Sequence, residues 1–171
     1  VTEYPRVPVA VSRGVHRQGV DEKLATEAGR GAMKDRWPVQ LLIENGYAVA
    51  TFFQGDIAPD NPDNPDCIQR CFWAEGQTSR GSHEWGTIAA WAWGLSRAVD
   101  YLTGCTKIDP DKIAVVGHSR NGKAALLAGA LDERIALVVS NQSGCAGAAL
   151  SRHPVGESIK RINDRFPHWF C

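Results

Sequence analysis

Residues 112–126, Lys-Ile-Ala-Val-Val-Gly-His-Ser-Arg-Asn-Gly-Lys-Ala-Ala-Leu, restrict the fold more than any other part of this chain. Ile113 to Val116 form a short β-branched apolar run, the composition of a buried strand. Residues 123–130 return to strong helix formers. Between them Gly117 and Gly122 bracket a sharp turn that carries Ser119. A strand that feeds a helix in this way is a unit of an α/β fold.

The rest of the sequence extends that pattern. It predicts a strand at 7–11, a Gly-rich polar stretch to about residue 32, a helix at 36–44 ending at Asn45-Gly46, and a strand at 47–53. A loop at 54–83, rich in Asp, Asn, Pro and Gly, leads to a helix at 84–102. After the strand and helix around Ser119 come a strand at 135–140, a Gly-Cys-Ala-Gly loop and a short helix at 157–162. Strands alternate with helices, so the expected sheet is mostly parallel. Trp85, Trp91 and Trp93, with Ile88, Leu95, Val99 and Leu102, make helix 84–102 apolar around most of its circumference. Core packing is preferred to sugar stacking for these tryptophans. With no repeat and no linker, the 171 residues read as one catalytic domain. Only about four strands are visible, so that domain reads as partial, lacking its flanks at both ends.

Composition narrows the function. The chain is 43% hydrophobic and 22% charged, an ordinary globular balance. Its 19 basic and 19 acidic residues cancel, which gives no field to draw nucleic acid or an anionic membrane. No apolar run approaches the length of a membrane span, and no signal peptide is visible at Val1. The one methionine is Met33, so the chain reads as a processed product or a piece of a longer one. Cys67, Cys71, Cys105, Cys145 and Cys171 form no CxxC pair. Zinc is not expected, and a Cys67–Cys71 disulfide is left open. The run from Asp60 to Asp66 repeats carboxylates every third residue, but its prolines and the lack of EF-hand spacing read as a turn-rich loop. The sequon Asn141-Gln-Ser143 falls at a strand end and carries little weight.

A serine at a strand-to-helix corner projects its hydroxyl from a strained turn, and N–H groups of the helix start can face a developing oxyanion. The expected donor is the Arg120 N–H, to which the guanidinium adds a fixed positive charge. The plainer alternative makes Ser119 a helix N-cap. The same residues also spell Gly117-x-x-x-x-Gly122-Lys123, a phosphate-binding loop. Ala124 then replaces the metal-binding hydroxyl, and strand 135–140 leads to Ser140-Asn141-Gln142 rather than to an aspartate.

Taken together, these segments resemble a known family. Gly117-His-Ser-Arg-Asn-Gly-Lys is similar to the nucleophile motif of the glucuronoyl esterases, carbohydrate esterase family 15, bacterial type. Trp91-Ala-Trp-Gly-Leu-Ser-Arg, Gly46-Tyr-Ala-Val-Ala-Thr, Asp132-Glu-Arg-Ile-Ala-Leu, Ser143-Gly-Cys-Ala-Gly-Ala-Ala-Leu-Ser-Arg and Phe166-Pro-His-Trp-Phe-Cys match it too. The resemblance covers nearly the whole chain but only the middle of the family's domain. It implies an α/β-hydrolase fold and a secreted or periplasmic, monomeric serine esterase that cleaves esters between glucuronoxylan and lignin alcohols, with no cofactor or metal. Ser119 is then the nucleophile, Arg120 forms the oxyanion hole, and Lys123 and Glu157 bind hydroxyls of the glucuronoyl ring. Read without the family, Lys123 is a solvated surface lysine and Glu157 a charge complementing a helix dipole.

The pattern departs from the family in one place. Gln142 stands where many members carry the triad acid, and a glutamine cannot stabilise an imidazolium by charge. The acid and the base are therefore expected beyond Cys171, and the chain on its own is expected to be inactive. His153 and His168 read as surface or packing residues and His118 as packing beside the turn. His16 and His83 lie in polar loops. The competing functions are another carbohydrate or acetyl xylan esterase on the same fold, the phosphate binder, and a catalytically silent binding domain.

Overall fold

The computed structural model describes residues 20–21, 24–25, 37–62, 66–152 and 156–171. The expected strand at 7–11 lies outside them. The chain forms two compact units, Val1–Phe52 and Phe53–Cys171.

In the first unit β1 (Val20–Asp21) pairs antiparallel with β2 (Leu24–Ala25) inside the stretch that reads as polar loop. Helix α1 (Val39–Glu44) starts later than expected, because Pro38 occupies its N-cap. It stops at Asn45-Gly46 as its sequence dictates. Gly46 turns to φ +83°, and the Tyr47 N–H returns 3.0 Å to the Leu42 carbonyl. The expected strand at 47–53 is not formed: this backbone joins no ladder among the described residues. An apolar β-branched run supplies side chains for a pleated surface, but a strand exists only where a neighbour accepts its hydrogen bonds.

The second unit carries the expected α/β order. Two 3₁₀ turns, Gln54–Asp56 and Ile68–Phe72, break up the long loop. Helix α2 (Thr87–Thr103) begins after Glu84 rather than at it, because that carboxylate caps a turn, accepting from the Gly81 N–H at 2.7 Å and from Gln77. The first free N–H groups of α2 are met by the chain's last residues. Thr87 donates to the His168 carbonyl and Ile88 to that of Trp169.

Strand β3 (Ile113–His118) runs parallel to β4 (Ile135–Asn141), with α3 (Arg120–Leu131) between them in sequence. Helix α4 (Ile159–Arg165) follows, its Ser158 cap accepting from the Arg161 N–H. Ile113, Val115 and Ile135 pack with Ala92, Val99, Ala125 and Ala128 of α2 and α3. Each fully buried aliphatic side chain such as Val99 contributes about 1.5–3 kcal/mol. The small residues of α3 bring its axis close to the sheet. β3 was expected to be a buried strand, yet it alternates: Ala114, Val116 and His118 face outward, and Val116 is 63% exposed. Among the described residues, one face of this two-stranded sheet is covered by helices and the other carries the outward side chains.

A second cluster joins Ala58, Ile88, Ala90, Trp91, Ala124, Ile162 and Trp169. Trp91 is 1% exposed and donates its indole N–H to the Ala58 carbonyl at 2.7 Å, so it packs the core as expected. Trp85 and Trp93 are half-buried and meet the Phe72 ring edge-on. All five cysteines are free.

Candidate active site

The corner after β3 is built by sterics. A Cβ at position 117 would overlap the backbone carbonyl of Asn121, and one at 122 would lie 3.0 Å from the Gly117 oxygen and from the Ser143 side chain. Glycine at both positions lets the strand end and the first turn of α3 touch. Between them Ser119 has φ +55° and ψ −121°, a backbone state that a residue with a Cβ rarely adopts. Its N–H donates to the Asn141 carbonyl at 2.9 Å, and its own carbonyl accepts from Gly122 and Lys123. Ser119 occupies the N-cap position of α3, but its side chain is exposed and makes no capping hydrogen bond, so the reading of its hydroxyl as a helix cap does not hold.

Arg120 follows at the first position of α3, with its side chain about one-third exposed. Its NH1 donates to Asp60 Oδ2, and its guanidinium lies 5.0 Å from the centre of the Trp169 ring and 5.3 Å from that of Phe166. Those rings are stacked 3.8 Å apart. Asp60 also accepts at Oδ1 from His168 Nε2 at 2.9 Å and from the Trp169 indole at 2.7 Å. Burial alone would raise the Asp60 pKa. The donors His168 and Trp169 and the charge of Arg120 outweigh it and hold the carboxyl below its usual range.

Lys123 is not a surface residue: its side chain is 2% exposed. The amine donates to the carbonyls of Ser143 and, at 2.6 Å, Cys145, and stands 3.8 Å from Glu157 Oε2. Burial lowers its pKa, and the Glu157 charge partly restores it. An amine engaged by two carbonyls and a carboxylate is not presented to a phosphate, which removes the phosphate-loop alternative. Glu157 precedes α4 rather than lying in it, and borders a cavity of about 270 Å³ whose wall includes Cys145, Leu150 and Ile159.

Two residues read as paired for sugar thus meet, and the serine and arginine read as paired for chemistry are neighbours on one corner. Gln142 is exposed at φ +47° beyond β4. His118 and His83 are exposed, and His16 and His153 lie outside the described residues. His168 is more than a packing residue, since it has Asp60 as a specific partner. Asp60 itself was read only as part of a turn-rich loop. No local signal marks it, because its three donors lie 60 to 109 residues away in sequence.

A parallel strand, a positive-φ corner and a helix packed back on the sheet are the parts of an α/β-hydrolase core, the fold of this chain. The family described as "Glucuronyl esterase, fungi" matches residues 29–164. "Carbohydrate esterase MZ0003", from an unknown prokaryotic organism, is 51% identical over 153 residues, which is 90% of this chain and 35% of that protein. A 4-O-methyl-glucuronoyl methylesterase of Neurospora crassa is 50% identical over 127 residues, 67% of this chain and 29% of that one. Among solved structures, a glucuronoyl esterase from Solibacter usitatus superposes with a TM-score of 0.85 at 41% identity, covering 96% of this chain and 41% of its own. The chain belongs to the glucuronoyl esterases, carbohydrate esterase family 15. It spans about a third of the length of the curated relative MZ0003.

Proposed function

We propose that this chain carries the nucleophile, oxyanion and sugar-binding elements of a serine esterase that hydrolyses glucuronoyl esters joining glucuronoxylan to lignin alcohols. The observation that carries the reading is the uncapped, exposed Ser119 held at φ +55° on the β3–α3 corner. Its hydroxyl attacks the uronate ester carbonyl, the alcohol leaves, and water hydrolyses the acyl-serine. The Arg120 N–H, which has no backbone acceptor among the described residues, and the guanidinium beside it receive the negative charge that forms on the carbonyl oxygen. Glu157, about half exposed beside the cavity, accepts from a hydroxyl of the glucuronoyl ring, while the buried Lys123 amine 3.8 Å away, already donating to two carbonyls, holds the loop and the carboxylate in place.

A polymeric wall substrate requires action outside the cytoplasm, so the protein is assigned to a secreted or periplasmic setting. No described helix is long and apolar enough to cross a membrane. The test compares the full-length protein with its Ser119→Ala variant on methyl glucuronate and on acetyl xylan. Serine-dependent turnover of the methyl glucuronate supports the reading. Turnover of acetyl xylan alone moves the substrate to acetyl esters, and turnover that survives the substitution overturns the mechanism.

A further inference from the structure

We propose that Asp60 is a positioning residue for the esterase, acting through Arg120: its buried carboxylate holds the guanidinium of the residue that follows Ser119. The inference rests on the serine-esterase reading above and adds a residue to it. The Asp60 side chain is 8% exposed, and its two oxygens have separate tasks. Oδ1 is taken by His168 and Trp169, while Oδ2 receives Arg120.

The segments on both sides of this carboxylate are tied by hydrogen bonds. On one, Ala58 is 1% exposed and pinned by the Trp91 indole. On the other, the segment bearing His168 and Trp169 is tied to the first turn of α2 by the Thr87 and Ile88 N–H groups, and Arg80 donates to the Phe170 carbonyl at 2.9 Å. Arginine has five N–H donors, of which Asp60 uses one, and the side chain keeps about a third of its surface open. The stacked rings of Phe166 and Trp169 bound it on another side. A long, rotamer-rich side chain is thereby held by an ion pair and two rings with donors to spare, and such restraint is what preorganised oxyanion stabilisation draws on.

Asp60→Asn isolates the effect. The amide oxygen still accepts from His168 and Trp169, but the NH₂ group now faces the Arg120 donors and the ion pair is lost. In the full-length protein kcat on methyl glucuronate is expected to fall by about ten- to a hundredfold, with KM within about threefold. In an Arg120→Met background the same substitution is expected to change kcat by less than about twofold, because the residue it acts through is gone. A merely structural Asp60 would lower kcat equally in both backgrounds, and that result overturns the proposal. So does a kcat within about twofold of the parent. If Asp60→Asn does not fold, Asp60→Glu takes its place, since the extra methylene shifts the guanidinium and the same two outcomes apply. Ser119→Ala is run alongside. Loss of activity there with no effect at Asp60 overturns only this inference, whereas surviving activity removes the esterase reading itself.

Discussion

The corner at Ser119 is strained for a reason that can be separated from its chemistry. At φ +55° and ψ −121° any residue with a Cβ is held away from its preferred wells, at about 1–3 kcal/mol. Ser119→Ala keeps the Cβ and therefore the strain. Because the hydroxyl makes no capping hydrogen bond, its removal changes stability by less than about 0.5 kcal/mol. Ser119→Gly abolishes the strain, and against that gain stands the larger entropy of glycine in the unfolded chain, about 0.5–1 kcal/mol. The glycine variant is expected to be the more stable of the two by about 1 kcal/mol. For a protein of more than 150 residues this is about 2 °C in Tm. Both variants are expected to lose turnover, so gain of stability and loss of activity appear together. Thermal melts and urea titrations of the two full-length variants, with m-values compared, measure the difference. A glycine variant no more stable than the alanine one would refute the strain at this corner, whatever the activity shows.

Gly117→Ala places a methyl group against the Asn121 carbonyl, so the corner must open by about 1.4 Å to reach the 3.4 Å of ordinary contact. The expected cost is about 1–3 kcal/mol in unfolding free energy and up to about a hundredfold in kcat, read by denaturation and steady-state kinetics. Glu157→Gln keeps the volume of the side chain and deletes the charge 3.8 Å from Lys123. It is expected to raise KM for methyl glucuronate by about tenfold with kcat little changed, and a loss confined to kcat would place Glu157 outside substrate binding. Asp132 is held well below the usual carboxylate range, first by Arg134 and then by Ser96. A lowered folded pKa stabilises fully above the unfolded value and is lost as pH falls through the folded one, so Asp132→Asn should weaken the fold at pH 7 and the gap should begin to narrow below about pH 4. Urea midpoints measured across that range check it.

What could be read from the sequence was what neighbours in the chain decide. The strand, corner and helix around Ser119, the apolar helix α2 and the parallel β4 follow from short-range periodicity and from two glycines that a Cβ would clash out of place. Residues 47–53 have the composition of a strand, but a ladder needs a partner that composition cannot supply. Lys123 reads from its own stretch of sequence as a solvated surface lysine. Its burial depends on carbonyls 20 and 22 residues further on, and a helical wheel cannot see them. Asp60 was still less legible, because its role is made by donors from two distant segments converging on one carboxylate.

The convergence itself has a simple origin. In a parallel sheet the chain leaves every strand at the same edge, so the turns after β3 and β4 emerge side by side. His118 pairs with Asn141, and the next residue of each strand, Ser119 and Gln142, takes a positive φ. The Ser119 N–H donating to the Asn141 carbonyl ties the two turns together. Lys123, one turn into α3, then reaches the loop after β4, and that loop leads on to Glu157. Ligand sites of open α/β sheets collect at the carboxyl ends of the strands for this reason. Here the same geometry sets the Ser119 corner beside the loop that holds Lys123 and leads to Glu157, before any particular side chain is considered.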